Sequence, residues 1–189
     1  SSGLDCYDPK TKIFKHYTFG SGAHQLSSNT IVVLLEDRKG DIWVGTNNGI
    51  NVLDVSTGTF TKYFHQPNNL QSLSDNEVQA LYEDKIGNIW VGGFTKGITI
   101  LNPTKTSFKH LISKNSKLSN NIISQFFEDS KGNFWVGTME GGLNKYDAKA
   151  QRFSTYNEQN GLICNTINYL TEDNLGFLWM STNEGDRKS

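Results

Sequence analysis

No stretch of this chain approaches the roughly 18 consecutive apolar residues that a membrane-crossing helix needs. No basic segment followed by an apolar one marks a secretion signal. The chain opens on Ser1 without a methionine, as a mature or excised piece would. Cysteine is scarce: Cys6 and Cys164 are the whole supply, they fit no metal-binding spacing, and two are too few to fix a redox compartment. Charge is nearly balanced, with 18 Lys and Arg against 19 Asp and Glu, which gives no electrostatic reason to expect nucleic acid or an anionic membrane as partner. Catalytic and nucleotide-binding signatures are missing too. There is no HExxH, no GxSxG, no GxxxxGKS and no GxGxxG. His16 and His110 lie on fourth strands and His24 and His65 in loops, with no partner pattern, and Cys164 has no activating neighbour. No metal, no cofactor and no enzymatic activity are expected.

What is present is repetition. "EDRKGDIWVGTNNGI" (36–50) returns as "EDKIGNIWVGGFTKGI" (83–98), "EDSKGNFWVGTMEGGL" (128–143) and "EDNLGFLWMSTNEG" (172–185). Trp43, Trp90, Trp135 and Trp179 stand 47, 45 and 44 residues apart. Six residues before each is Asp37, Asp84, Asp129 or Asp173, and before that Glu36, Glu83, Glu128 or Glu172. Three before is Gly40, Gly87, Gly132 or Gly176. Further upstream stand Asn29, Asn76, Asn121 and Asn165, then Leu26, Leu73, Leu118 and Leu162.

Each unit reads as four short strands. In the first these are "TIVVLLE", "DIWVGT", "INVLD" and "FTKYF", joined by "DRKG", a loop ending in Gly49, and "VSTGT". Four strands at a period near 45 are the pattern of a β-propeller blade, and no segment carries the three-and-four apolar spacing of a helical solenoid. The expected fold is all-β: a propeller of four-stranded antiparallel blades, about four per chain. Residues 1–17 supply strands three and four of one blade; 29–64, 76–111 and 121–156 are whole blades; 165–185 supply strands one and two. The N- and C-terminal strands are therefore expected to share one blade, since a lone half blade leaves an unpaired edge. One chain closing a four-bladed ring, two chains closing an eight-bladed ring, or further blades of a longer parent would all satisfy that phase.

The repeated columns read as structural. Each Trp packs between blades, each Asp accepts backbone N–H groups two or three residues on in its hairpin turn, each Gly permits that turn, each Asn caps a first strand and each Leu anchors a linker. The Asp turn is one residue longer than the D-x-G-x-x-W box of sialidases, so that activity is not inferred.

These residues, from the Asn column through Glu-Asp, the turn Gly, the Trp and the following Gly-Thr to the closing Phe strand, resemble the two-component regulator propeller repeat, over essentially the whole chain. Ser181 replaces the Gly after the fourth Trp, Gly93 replaces a Thr, and Leu111 stands where the other units carry Tyr17, Tyr63 and Tyr156. The resemblance implies the periplasmic sensor region of hybrid two-component systems, common in gut Bacteroidetes. There, two seven-bladed propellers precede an immunoglobulin-like domain, a membrane helix and a histidine kinase, and oligosaccharides are the usual ligands. About four blades and nothing else are present here, which implies a sensory fragment.

In such a ring the loops between strands two and three share a face with the blade-to-blade linkers. Their unrepeated residues are the ligand candidates: Asn47, Asn48, Phe94, Lys96, Met139, Glu140, Asn183 and Glu184. Amides, charges and one aromatic suit a sugar's hydroxyls and apolar face. The polar linker "HQPNNLQSLSD" (65–75) would overhang that face. A binding or dimerisation scaffold without a small ligand is the alternative, and an exposed apolar patch or an open strand edge would favour it.

Overall fold

The computed structural model describes residues 3–182. It is a row of sheets in which every hairpin is antiparallel. Strands β1 (Leu4–Asp8) and β2 (Ile13–Tyr17) form a two-stranded sheet. Three four-stranded blades follow: β3 (Ile31–Glu36), β4 (Ile42–Thr46), β5 (Gly49–Asp54) and β6 (Thr59–Tyr63); then β7 (Val78–Glu83), β8 (Ile89–Gly93), β9 (Ile98–Asn102) and β10 (Ser107–Leu111); then β11 (Ile123–Glu128), β12 (Phe134–Thr138), β13 (Gly142–Asp147) and β14 (Arg152–Tyr156). The row ends on the two-stranded sheet of β15 (Ile167–Glu172) and β16 (Leu178–Thr182). One turn of helix, α1 (Ser113–Ser116), lies in the third linker, which joins the second and third whole blades.

The shared blade expected of the chain ends is not assembled among the described residues. The β1–β2 and β15–β16 hairpins are separate sheets, each packed on its own neighbouring blade.

No single core exists. The apolar residues gather into four clusters, one at each junction between consecutive sheets. Tyr17, Leu26, Val44 and Phe60 fill the first; Trp43, Leu73, Ile89 and Leu101 the second; Trp90, Leu118, Phe126 and Phe153 the third; Trp135, Ile167 and Leu170 the fourth. Blades thus bury their faces against one another, with first strands β3, β7, β11 and β15 in successive contact. Each first strand carries a bulge at its second or third residue. Opposite that bulge, two positions after the Trp, sits a glycine in the three whole blades and Ser181 in the last hairpin. A Cβ on Gly45 would lie 2.8 Å from Val78 of the next blade, and one on Gly92 would lie 2.6 Å from Ile123. Glycine there lets the neighbouring blade close in.

The turn after each first strand is built on its Asp. Asp37 Oδ1 accepts the N–H of Lys39 and of Asp41, and Oδ2 accepts the indole N–H of Trp43 at 2.9 Å. The pattern recurs at Asp84 with Trp90 (3.0 Å), Asp129 with Trp135 (2.9 Å) and Asp173 with Trp179 (2.8 Å). The backbone donors lie two and four residues on, and the indole is a third donor that spacing alone did not suggest. Gly40 completes the turn at φ +86, a left-handed conformation that favours glycine.

The four tryptophans then diverge. Trp43, Trp90 and Trp135 are 2, 5 and 9% exposed, whereas Trp179 is 60% exposed. The first three have a following blade to cover the ring, and Trp179 has none among the described residues. Replacing Asp37 with Ala should therefore cost about 2–4 kcal/mol, because it orphans a buried indole N–H and two turn amides. The same change at Asp173 should cost under about 1 kcal/mol, because water replaces the lost bonds. Denaturant midpoints of the two variants decide the matter. Equal losses would show that the turn alone, and not the buried indole, carries the effect.

Candidate functional site

Four acidic pairs in register could suggest a carboxylate site, so their partners come first. Glu83, Glu128 and Glu172 each reach back to the turn of the preceding blade. Glu83 Oε2 accepts the Arg38 N–H at 2.9 Å, and Glu83 Oε1 lies 2.9 Å from Arg38 Nε. Glu128 pairs with the Lys85 ammonium and accepts the Tyr82 hydroxyl at 2.7 Å. Glu172 accepts the backbone N–H and the hydroxyl of Ser130. Arg38, Lys85 and Ser130 each stand just after a turn Asp, while Tyr82 lies two residues before one. These carboxylates join blades and are committed to protein partners. The Lys85 ammonium, more than any other influence, holds the Glu128 carboxyl below its ordinary value; burial opposes it and the Tyr82 hydroxyl assists. At Asp129 burial pushes upward, but bonds from Trp135, Asn133 and the turn amides together leave the group lowered. Tyr82 is raised by burial first and by its bond to Glu128 second.

The opposite face carries the linkers. Asn29, Asn76, Asn121 and Asn165 do more there than cap a strand. Their side-chain oxygens accept the backbone N–H of Phe19, His65, Ser113 and Glu158, closing each linker on itself. The backbone carbonyls of the last three accept the N–H of Gly49, Gly97 and Gly142 in the preceding blade, at 2.7, 2.9 and 2.6 Å. Leu26, Leu73 and Leu118 are fully buried beneath these linkers, and Leu162 packs partly buried on the last cluster.

A cavity of about 390 Å³ opens on this face between the second and third linkers. The linker from blade one supplies His65, Asn68 and Leu70; the loop between β8 and β9 supplies Thr95 and Lys96; the end of β10 supplies His110; the next linker supplies Lys114 and Asn121. Of the six ligand candidates among the described residues, Lys96 alone lies here. Asn47 and Asn48 stand in the exposed loop of blade one, where Asn48 Nδ2 donates to the Ser27 carbonyl and so fastens a linker. Phe94 is 37% exposed in the Lys96 loop, outside the lining. Met139 and Glu140 sit in the loop of blade three, Glu140 at φ +65 with its N–H on Thr166. Asn183 and Glu184 lie outside the described residues. The walls come chiefly from linkers and a strand end, and apart from Leu73 and Asn121 no repeat column marks them. Their signal was the polar linker 65–75, which does overhang the face. Among the described residues no group of three or more His, Cys, Asp or Glu could hold a metal ion. His16 pairs with Asp5, and His24 with the Gly58 carbonyl, both away from this cavity.

Blades of four antiparallel strands, bulged first strands in contact and a buried Trp at the junction behind each whole blade define a β-propeller. The chain belongs to the two component regulator propeller family, whose repeat model matches residues 25–48, 72–95, 117–140 and 161–184. Among solved structures it is similar to the extracellular domain of a putative one-component system from B. thetaiotaomicron, at 25% identity and a TM-score of 0.79 over 96% of this chain and 26% of that one. It also shares its fold with the extracellular domain of a putative hybrid two-component system from the same organism, at 21% identity, a TM-score of 0.70, and 96 and 29% coverage. Virginiamycin B lyase from Staphylococcus aureus has the fold too, at 14% identity, a TM-score of 0.66, and 94 and 55% coverage. The fold by itself therefore does not separate sensing from catalysis. The chain spans about a quarter of the length of the two B. thetaiotaomicron domains. No curated protein matches it. No helix among the described residues is long and apolar enough to cross a membrane.

Because Glu128 and Asp129 are both held below their ordinary values of 4.5 and 3.8, their contribution is complete above those values and is lost as pH falls through the lowered ones. Stability should thus decline as the solution is acidified below about pH 4.5. The Glu128→Gln variant should show a shallower decline when thermal midpoints are followed from pH 6 to 3. An unchanged slope would remove Glu128 from the account.

Proposed function

We propose that this chain is a non-catalytic, ligand-sensing part of the periplasmic sensor region of a hybrid two-component regulator, and that its ligand is an oligosaccharide. The linker-face cavity carries this reading. The repeated columns hold blades together, so recognition falls chiefly to unrepeated residues, and those converge on a concavity that sets polar side chains beside the aliphatic Leu70 and Ile112. Amides, hydroxyls and imidazoles beside aliphatic surface match what a sugar presents. Family membership and the likeness to extracellular domains of bacterial signalling systems support the setting. The test is a thermal-shift panel of neutral and acidic oligosaccharides. A true ligand at a hundred times its Kd should stabilise by about 2.7 kcal/mol, a rise on the order of 5–10 °C for a chain of this size. A panel with no shift would overturn the reading.

A second role follows from the free edges. Tyr7, Ile13 and Phe14 at one end, and Tyr169, Phe177 and Trp179 at the other, are all at least 49% exposed. The two hairpins are complementary in phase. By the register of Trp43 with Val52 and Trp135 with Lys145, Trp179 of β16 would face Cys6 of a β1 strand. We propose that two chains pair β16 with β1 reciprocally and close one ring. Light scattering should then give twice the 21.2 kDa of one chain, with Trp179 fluorescence shifted to shorter wavelength. A single-chain mass at all concentrations would rule out that closure.

A further inference from the structure

Building on the saccharide reading, we infer that the linker-face cavity is a site for an acidic sugar, one whose carboxylate lies between Lys96 and Lys114. Both lysines line the cavity and no acidic side chain does. Among the described residues, neither ammonium takes part in an ion pair. Asp75, beneath the Lys96 loop, is already committed to the N–H and hydroxyl of Thr95, at 2.8 and 2.9 Å. Two like charges on one concave surface repel each other, and a bound anion relieves that repulsion.

The rest of the wall suits the hydroxyls. His65 Nδ1 lies 2.8 Å from the Leu73 carbonyl, and His110 Nε2 lies 2.9 Å from the Ser72 carbonyl. A carbonyl only accepts, so each of those nitrogens carries the proton. His65 Nε2 and His110 Nδ1 are then acceptors when the rings are neutral. Asn121 gives its side-chain oxygen to Ser113, which leaves its amide N–H₂ as a donor. Leu70, 77% exposed, with Ile112 provides aliphatic surface for the C–H face of a sugar ring. The equivalent junctions lack this combination. Lys96 comes from a loop one residue longer than its counterpart at 47–48, and His65 occupies the place of Phe19, Ser113 and Glu158.

The probes are trigalacturonic acid and its methyl ester, which keeps the sugar frame and removes the charge. Calorimetric titration should show the acid binding at least tenfold more tightly than the ester. The gap should close in 0.5 M salt, as screening requires. Lys96→Ala/Lys114→Ala should lose that tenfold with an unchanged thermal midpoint, since both side chains are exposed, while Lys10→Ala in the β1–β2 turn should bind as the parent does. Equal affinity for acid and ester, or an unaffected double variant, overturns the acidic assignment and leaves saccharide sensing standing. Binding of a neutral panel member with no binding of trigalacturonic acid does the same. If no saccharide binds at all, the sensing reading fails and this inference falls with it.

Discussion

The bond from each Trp indole to the carboxylate six residues earlier is the constraint on which the blades depend. A Trp ring offers the largest apolar surface of any side chain, but its N–H resists burial without an acceptor. The Asp supplies one from inside the same hairpin, and a charged acceptor makes the bond stronger than a neutral one. The turn and the ring are thereby fixed together. The ring leaves its own sheet facing the next blade in a set orientation, and the following sheet receives it with apolar residues, aliphatic around Trp43 and largely aromatic around Trp90. Stability resides in junctions between neighbours, close to the additive behaviour of repeat arrays.

Two further bonds give the junctions direction. On one face the Gly opening a third strand donates to the Asn carbonyl of the next blade. On the other, the turn of one blade donates to the Glu of the next. Both run from earlier unit to later unit, so a blade has a distinct leading and trailing side. The glycine two residues after the Trp sets how closely the trailing side can be approached. Ser181 puts a Cβ at that position in the last hairpin, so a sheet docking there has less room than the sheets behind Gly45 and Gly92.

Much of this was legible in the sequence. The columns of Trp, Asp, Glu, Gly, Asn and Leu marked the strands, their order and the blade period, because every blade must solve the same packing problem. Partners across a junction were less legible. The Glu–turn bonds join residues 42 to 45 apart, a distance at which no local pattern operates. The indole as third donor to Asp was missed because a turn motif explains that residue on its own. The cavity was the least visible. Loop position drew attention to Lys96, which lines the cavity, but His110 sits on a strand whose alternation looks ordinary, and Asn121 belongs to a structural column. A site assembled from three connections has no sequence period to reveal it.

That difference bears on how such a chain can change. The junction bonds described above each join one unit to the next, so copying or deleting a stretch of one period preserves every type of contact the scaffold uses. The cavity straddles a seam and belongs to no single unit. Duplicating either flanking blade would reproduce half of its wall against a foreign half. Length in whole blades is therefore a quantity that recombination can alter freely, while each pocket must be acquired afresh, seam by seam, by substitution in the connections.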